Sequence, residues 1–231
     1  MKRVASIFIL FSFCGYVNCE TAKNGELRNC PKTVTVFMDK TAKYNFQAVG
    51  IDVGNVLELV NLNFKSQGVD ISYDTKSLKI REWVFNSESL PPDDGSENFK
   101  IQILKIGQSE KKRTKDQSDI GIFLTGDFLG FGNGQASLLG YKLGPFSNHG
   151  NGEMLAGTFP TYPEVYKNDI YLKSLANIIA HEQGHLYGLK HSKIPKSLMY
   201  PNVFGGIILF DNFSKKKLLN FLRTERKCVK Q

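Results

Sequence analysis

Residues 181–191 contain the spacing H-E-x-x-H-x-x-G-x-x-H, which constrains the fold more than any other segment of this chain. Because an α-helix has 3.6 residues per turn, His181 and His185 lie on one face and can direct ring nitrogens at one metal ion. Gly188 has no Cβ and can adopt the positive φ that ends a helix and turns the chain, so that His191 returns as a third ligand. The pattern therefore predicts a helix that ends at a metal site.

Three neutral imidazoles at about 2.0–2.1 Å leave the fourth position of a zinc ion open for water, which is typical of catalytic sites. Glu182 is then predicted to be the general base, because its carboxylate can reach the zinc-bound water but not comfortably the ion itself. A buried helix with incidental histidines is the alternative, but residues 197–201, S-L-M-Y-P, supply the Met-turn expected downstream of the longer motif. Met199 would lie beneath the metal; otherwise it is a plain core methionine.

The motif and the Met-turn together resemble the metzincin clan of zinc endopeptidases. Residues 188–192 and 198–201 are similar to matrixins, which carry serine after the third histidine and an L-M-Y-P turn. Residues 119–128 and 134–140 resemble the "LLTG" strand and the glycine-rich edge strand of adamalysins, also called reprolysins. Residues 213–228 resemble the closing helix and last cysteine of the adamalysins.

The resemblance implies an α/β fold: a twisted, mostly parallel five-stranded sheet with an antiparallel edge strand, long helices and a smaller C-terminal subdomain. We predict one peptidase domain over residues 20–231, with an upper subdomain (20–188) and a lower one (189–231). An adamalysin-like chain should carry a full extra helix between residues 85 and 118, and a matrixin architecture is the alternative.

Hydrophobic patterning also predicts α/β order. Alternation over residues 33–38 indicates a half-buried strand, and apolar residues between 53 and 64 recur at helical spacing before a stop at Gly68. Residues 69–73 and 78–84 have strand patterns, so the β-α-β order favours a right-handed crossover and a parallel sheet.

Further elements follow from turn residues and periodicity. They are a surface loop (86–96), a helix (97–112), a central strand (120–124), an edge strand (136–143) and the motif helix (170–187) with its N-cap at Asn168 or Asp169. An edge strand exposes unpaired backbone groups, so an extended peptide could add to it by β-augmentation; the alternative is an ordinary edge protected by its glycines.

The candidate substrate-binding residues lie in two places. Leu138, Leu139 and Gly140 belong to the predicted edge strand. The resemblance places the wall of the specificity pocket after the Met-turn, where Pro201 and Val203 stand. Matrixins usually have tyrosine at the position of Val203, so the preferred side chain does not carry over.

The first 19 residues are predicted to be a secretory signal, because a basic start precedes a short apolar run at 6–13. A transmembrane helix needs about 20 apolar residues, and this run is too short. Cleavage before Glu20 would give a secreted, extracellular protein without a transmembrane segment. An uncleaved anchor or a buried strand is the alternative.

Two of the four cysteines lie in this leader, and Cys30 and Cys228 remain near opposite ends of the mature chain. In an oxidising compartment they are expected to form one disulfide, with two free thiols as the alternative. The adamalysins pair their terminal cysteine with one just after the edge strand, which this chain lacks. Asn212, in N-F-S, fits the pattern for N-glycosylation.

The formal charge of +8 is concentrated partly in two basic runs, 111–115 and 214–217. Such runs are usually solvated faces; the alternative is a weak attraction to sulfated glycans or anionic membranes. Because no nucleic-acid motif accompanies them, we predict no nucleic-acid partner.

These patterns predict a secreted, monomeric zinc endopeptidase with one catalytic zinc that cleaves extended protein substrates. The fourth histidine, His149, lies in a polar loop and is expected to be solvated, and nothing in the sequence supports a calcium site. The alternative is a catalytically inert binding or inhibitory module on the same fold. The intact residues His181, Glu182, His185 and His191 argue against it.

Overall fold

The computed structural model describes residues 27–84, 97–126, 140–143, 150–157, 168–201, 208–223, 225 and 227–229. Several predictions fall outside these residues: the signal segment 1–19, the loop 86–96, Leu138, Leu139, His149 and Val203. Among the described helices, none has the length and apolar character needed to cross a membrane.

Twelve elements lie in the described part of the chain. In order they are β1 (Leu27–Asn29), β2 (Val34–Met38), α1 (Lys40–Val49), α2 (Val53–Ser66), β3 (Lys79–Glu82), α3 (Glu97–Arg113), β4 (Ile120–Thr125), β5 (Gly140–Leu143), β6 (Gly152–Gly157), α4 (Asn168–Leu186), α5 (Asn212–Leu222) and β7 (Lys227–Val229).

Five strands form the main sheet in the order β3-β2-β4-β6-β5. The pairs β2–β3, β2–β4 and β4–β6 are parallel, and β5 joins β6 antiparallel at the edge. The predicted mostly parallel sheet with an antiparallel edge strand is therefore confirmed. A separate antiparallel pair, β1 with β7, joins the two ends of the described chain. It was not predicted, because three-residue strands carry too little periodicity to detect.

The two faces of the sheet bury different clusters. Val36, Ile122 and Met154 contribute to the larger cluster, which also contains buried residues of α2 and α4. The alternate residues of the same strands, Phe37, Phe123 and Leu155, pack with residues of α3 in a smaller cluster. Successive side chains point to opposite faces, and both faces are covered by helices. Strand β4 is accordingly buried at all six positions, as a central strand should be.

Strand β2 is fully buried rather than half-buried, so that expectation was wrong. Its polar residue Thr35 is 0% exposed and donates its hydroxyl to Asp116 Oδ2 at 2.8 Å. Alternation of polar and apolar residues suggested one solvated face. A hydrogen-bonded threonine can instead occupy the covered face without an unsatisfied polar group.

Residues 69–73 form no strand of the sheet, which corrects another prediction. Val69, Ile71 and Tyr73 are buried, so their alternation is real. Among the described residues, the segment nevertheless pairs with other backbone only through an isolated bridge between Lys32 and Tyr73. Alternating burial indicates that a segment is extended and covers the core. It does not indicate whether the backbone groups of the segment pair with another strand.

Two helix boundaries also differ from expectation. Helix α1 was missed, although Asp39 caps its first turn by accepting from Ala42 N at 2.6 Å and Gly50 ends it at φ 65°. Helix α4 already contains Asn168 and Asp169, so neither is its N-cap. The Asp169 carboxylate instead accepts from Lys173 Nζ, 2.6 Å away and one turn along the same helix.

Candidate metal centre

Helix α4 ends as its glycine requires. Gly188 has φ 76°, its N–H donates to His185 O at 2.8 Å, and Leu189 N–H donates to Gly184 O at 3.0 Å. This pair of bonds is the Schellman arrangement, in which a left-handed residue satisfies the last free carbonyls of a helix. The chain therefore turns back directly after α4 and carries His191 towards the histidines on the helix.

The three histidines of the motif converge. The potential ligand atoms of His181, His185 and His191 all lie within 4.8 Å of one another, and their ring centroids are 4.6 to 5.3 Å apart. His181 and His185 lie on adjacent turns of α4, whereas His191 lies in the segment that follows Gly188. Among the described residues, these three histidines are the one group of histidine, cysteine or acidic side chains close enough together to hold a metal ion.

Backbone carbonyls orient the two helical rings. His181 Nδ1 lies 2.5 Å from Leu198 O, and His185 Nδ1 lies 2.7 Å from Leu189 O. If each Nδ1 carries the proton and donates to its carbonyl, both Nε2 atoms present lone pairs, and these atoms are 3.0 Å apart. Two facing lone pairs repel unless a cation lies between them, and neutral imidazole nitrogen is a preferred ligand of zinc. The residues present therefore fit a zinc ion.

Burial favours the neutral form of two of the three rings, those of His181 and His191. Burial, together with the neighbouring His185, lowers the pKa of His181 from 6.5 to about 3. Burial also lowers the pKa of His191, although this ring is the most exposed of the three. At neutral pH the site can accept a cation without first losing protons from these two rings.

Glu182 lies beside the histidines without joining their group. Its side chain is buried, and its Oε1 is 4.0 Å from His181 Nε2. The carboxylate is thus close enough to the predicted metal position to meet a molecule bound there. This placement agrees with the role expected of a general base, which must reach the proton that it accepts.

Met199 lies against α4 at Gly184. It is fully buried, and a Cβ built on Gly184 would come within 2.6 Å of its sulfur. Ser192 N–H donates to Met199 O at 2.7 Å, which ties the turn to the segment after His191. Glycine at position 184 therefore lets the Met199 side chain pack directly against the helix. Glycine in the middle of a helix lowers its stability, so its presence at position 184 of the sequence could have indicated a close contact there.

The other candidate residues are more scattered. Gly140 begins the edge strand β5, which contacts α4, and Pro201 is exposed as the last residue of the Met-turn. The register of β1 and β7 places Arg28 opposite Cys228, and Cys30 follows directly after the end of β1. Asn212 is exposed as the first residue of α5. The disulfide and the glycan stay predictions.

The contacts on the side of α4 that faces away from the histidines were not predicted from the sequence. Gln183 is 0% exposed; its Nε2 donates to Gly150 O at 2.7 Å, and its Oε1 accepts from Tyr73 OH at 2.8 Å. Gly150 has φ 61°, and a Cβ there would lie 2.3 Å from the Tyr187 ring. No spacing rule connects these positions, because their partners are distant in the sequence.

A buried ion pair, Lys32 with Glu225, lies near Tyr187 on this same side of α4. Lys32 Nζ donates to Glu225 Oε2 at 3.0 Å and to Asn151 Oδ1 at 2.9 Å, and it lies 5.7 Å from the centre of the Tyr187 ring. Burial and then the nearby Glu225 carboxylate raise the pKa of Tyr187, which stays protonated. This network joins the beginning and end of the described chain to Tyr187, the residue directly after α4.

Comparisons with known proteins agree with this geometry. The model of the matrixin family, peptidase M10, matches residues 114–206. No curated protein matches the chain.

Two solved structures share the fold. Metalloproteinase-II from Bacteroides fragilis is 16% identical with a TM-score of 0.50, over 84% of this chain and 54% of that one. Archaemetzincin from Methanopyrus kandleri is 14% identical with a TM-score of 0.51, over 84% of this chain and 96% of that one. The chain thus spans about half the length of the Bacteroides protein.

The fold is that of the metzincin-type metallopeptidases. The family model that matches residues 114–206 is that of the matrixins and does not test the adamalysin resemblance. The adamalysin subtype therefore stays a prediction. Helix α3 does lie in the region between residues 85 and 118 where an adamalysin-like chain was expected to carry a full helix.

Proposed function

We propose that this protein is a secreted zinc-dependent endopeptidase. One observation carries the proposal: three imidazoles converge while the Nδ1 atoms of His181 and His185 are held by backbone carbonyls. Three nitrogen ligands leave one zinc position free, which a structural site would not. The matrixin match, which includes the whole motif and the Met-turn, supports the same reaction class.

Zinc bound by these histidines would polarise the scissile carbonyl and make the attacking water more acidic. Glu182 would accept the proton of that water and transfer it to the amine that leaves, because its carboxylate lies next to the ligand set. The substrate would lie extended beside β5, whose outer edge pairs with no other strand among the described residues. Backbone pairing of this kind would recognise extended chains largely independently of their sequence.

The subtype can also be inferred. Helix α3, which precedes the matrixin match, favours an adamalysin-like upper subdomain, and the match itself, which covers residues 114–206 with the Met-turn, favours a matrixin-like lower wall. We therefore infer an adamalysin-like architecture with matrixin-like residues after His191. An experimental structure with a bound peptide would test this through the chain beyond Pro201.

Replacing the general base tests the mechanism. We expect Glu182→Gln to retain one zinc per chain, because no ligand is lost, and to reduce casein cleavage by about 10²–10⁴-fold. Glu58→Gln, an exposed change on α2, is the matched control and should cleave as the wild type does. Metal content and mapped cleavage products are the measurements.

Two results would contradict the proposal. Cleavage by Glu182→Gln at the wild-type rate would exclude this residue as the base. A wild-type protein that binds zinc yet cleaves neither casein nor a peptide library would instead indicate an inert binding module.

Secretion and processing belong to the same proposal. In a secretory host we expect cleavage before Glu20, a disulfide between Cys30 and Cys228, and a glycan on Asn212. Intact mass before and after reduction and deglycosylation measures all three. A mass that changes with neither treatment would contradict the disulfide and the glycan.

A further inference from the structure

A pocket of about 500 Å³ opens directly beside the third histidine. Its walls are the segment after α4, residues 189–194, and the beginning of α5, residues 211–217. His191 lines this pocket and also belongs to the three-histidine group. A peptide whose scissile carbonyl lies at the histidines would therefore have neighbouring residues within reach of the pocket.

The pocket is basic. Lys190 and Lys193 are exposed in its wall, and Lys217 is half-buried with its Nζ donating to Gly188 O at 3.0 Å. In the described part of the chain, none of the three ammonium groups lies within ion-pair distance of a carboxylate. The charges of the two exposed lysines, Lys190 and Lys193, are thus available to a ligand.

One acidic residue, Asp211, also lines the pocket, but its carboxylate is occupied within the protein. It accepts from Ser214 N at 2.9 Å, from Ser214 Oγ at 2.8 Å and from Ser197 Oγ at 2.7 Å. These bonds cap α5 and connect it to the Met-turn. The aspartate is therefore held by hydrogen bonds within the protein, and three lysines against this one carboxylate leave the pocket lining with an excess of positive charge.

Two exposed apolar side chains complete the lining. Ile194 is 54% exposed and Phe213 is 77% exposed. Large apolar groups beside free ammonium groups suit a ligand that has methylene groups and ends in an anion. The side chain of glutamate has this composition.

We propose that this pocket receives an acidic side chain of the peptide substrate and makes the enzyme prefer cleavage sites near glutamate or aspartate. This inference rests on the proposed peptidase function. It depends on Lys190 and Lys193, which are not metal ligands, so its test can fail while the peptidase function stands.

Two sets of quenched fluorescent peptides test the preference. One set carries a single glutamate moved position by position around one cleavage site, and the other carries glutamine at the same positions. At one position we expect kcat/KM to be about 3- to 10-fold higher for glutamate at low salt, the range for one or two exposed ion pairs. The advantage should shrink towards 1 M salt, where the Debye length is about 3 Å.

Charge reversal assigns the preference to the pocket. In Lys190→Glu/Lys193→Glu the glutamate-to-glutamine ratio should fall below one at that position. Lys76→Glu/Lys79→Glu is the matched control, because it makes the same charge change at two exposed lysines. Lys79 lies on β3 and Lys76 just before it, and β3 is the edge strand opposite β5. This variant should keep the wild-type ratio. Using ratios within each protein removes any general loss of activity.

Binding provides a readout without turnover. Fluorescence anisotropy with Glu182→Gln should show the same preference between the two peptides. Equal ratios at every position, or a preference unchanged by the reversal, would overturn the inference while peptide cleavage still supports the peptidase function. Lysine-dependent binding of a sulfated oligosaccharide without any peptide preference would also overturn it, in favour of a glycan ligand.

Discussion

The two sides of the last turns of α4 differ in what holds them. On the front, His181 and His185 face the open site, and the partners of their Nδ1 atoms lie 17 and 4 residues away. On the back, Gln183 bonds to Tyr73, which is 110 residues away. Tyr187 packs beside an ion pair whose members, Lys32 and Glu225, are 193 residues apart.

This difference implies that the front of α4 determines metal binding, whereas the back determines the stability of the fold. The front is made by residues close together in the sequence, so a change there should alter metal binding and leave the fold largely intact. The back joins distant segments in a buried environment, where a missing partner leaves a polar group or a charge unsatisfied. A change there should unfold the protein before it alters the ligands themselves.

The largest expected effect is on the front. His191→Ala should weaken zinc binding by more than about 100-fold, since losing even a residue that supports a ligand costs about 10–100-fold. His191 is exposed, so the unfolding free energy of the metal-free protein should change by no more than about 0.5 kcal/mol. Competition with a chelator and urea unfolding measure the two quantities. Lys65→Ala, an exposed change on α2, should alter neither.

The buried ion pair on the back should show the opposite behaviour. Lys32→Met should cost about 3–5 kcal/mol of unfolding free energy, because it leaves the Glu225 carboxylate buried without its cation. The double change Lys32→Met/Glu225→Leu should recover most of that loss. Urea unfolding of the metal-free proteins measures both.

An exposed pair supplies the control for this prediction. Lys173→Met breaks the pair with Asp169, whose side chain is 65% exposed, and should cost no more than about 1 kcal/mol. Equal losses from Lys32→Met and Lys173→Met would show that the back of α4 is not special.

Packing between the helix and the Met-turn should have an intermediate effect. Gly184→Ala would place a Cβ 2.6 Å from Met199 Sδ, and we expect a loss of about 1–3 kcal/mol from overpacking. In a double-mutant cycle, Met199→Ala should relieve part of this loss, because the sulfur is then absent. Additive losses in thermal unfolding would show that the two residues do not interact.

The smallest expected effect is a pH dependence of the metal-free protein. The pKa of His181 is about 3 in the folded state and about 6.5 when unfolded, so below pH 6.5 only the unfolded chain takes up this proton. Stability should therefore fall as the pH falls, by about 1 kcal/mol between pH 7 and 5.5 from this residue. Urea unfolding of the wild type and of His181→Gln measures it. An identical slope in both proteins would remove His181 as the cause.

Much of the metal centre could be predicted from the sequence, because it depends on local geometry. Helical spacing places His181 and His185 together, and the missing Cβ of Gly188 allows the turn that returns His191. The central strand β4 was also predictable, since an uninterrupted apolar run is typical of a strand covered on both faces. Helix α1 was missed because its polar residues hide the apolar period, although Asp39 and Gly50 mark both of its ends.

The sequence by itself determined which residues can bind a metal, and where the helix that carries them ends, because both follow from spacing within one segment. Only the tertiary structure decided what lies behind that helix: Gln183 held by Tyr73 and Gly150, and the pairing of Lys32 with Glu225. It also decided that β1 pairs with β7. These contacts join residues that no periodic pattern relates, and they form only when the whole chain is packed and water is excluded between its distant parts.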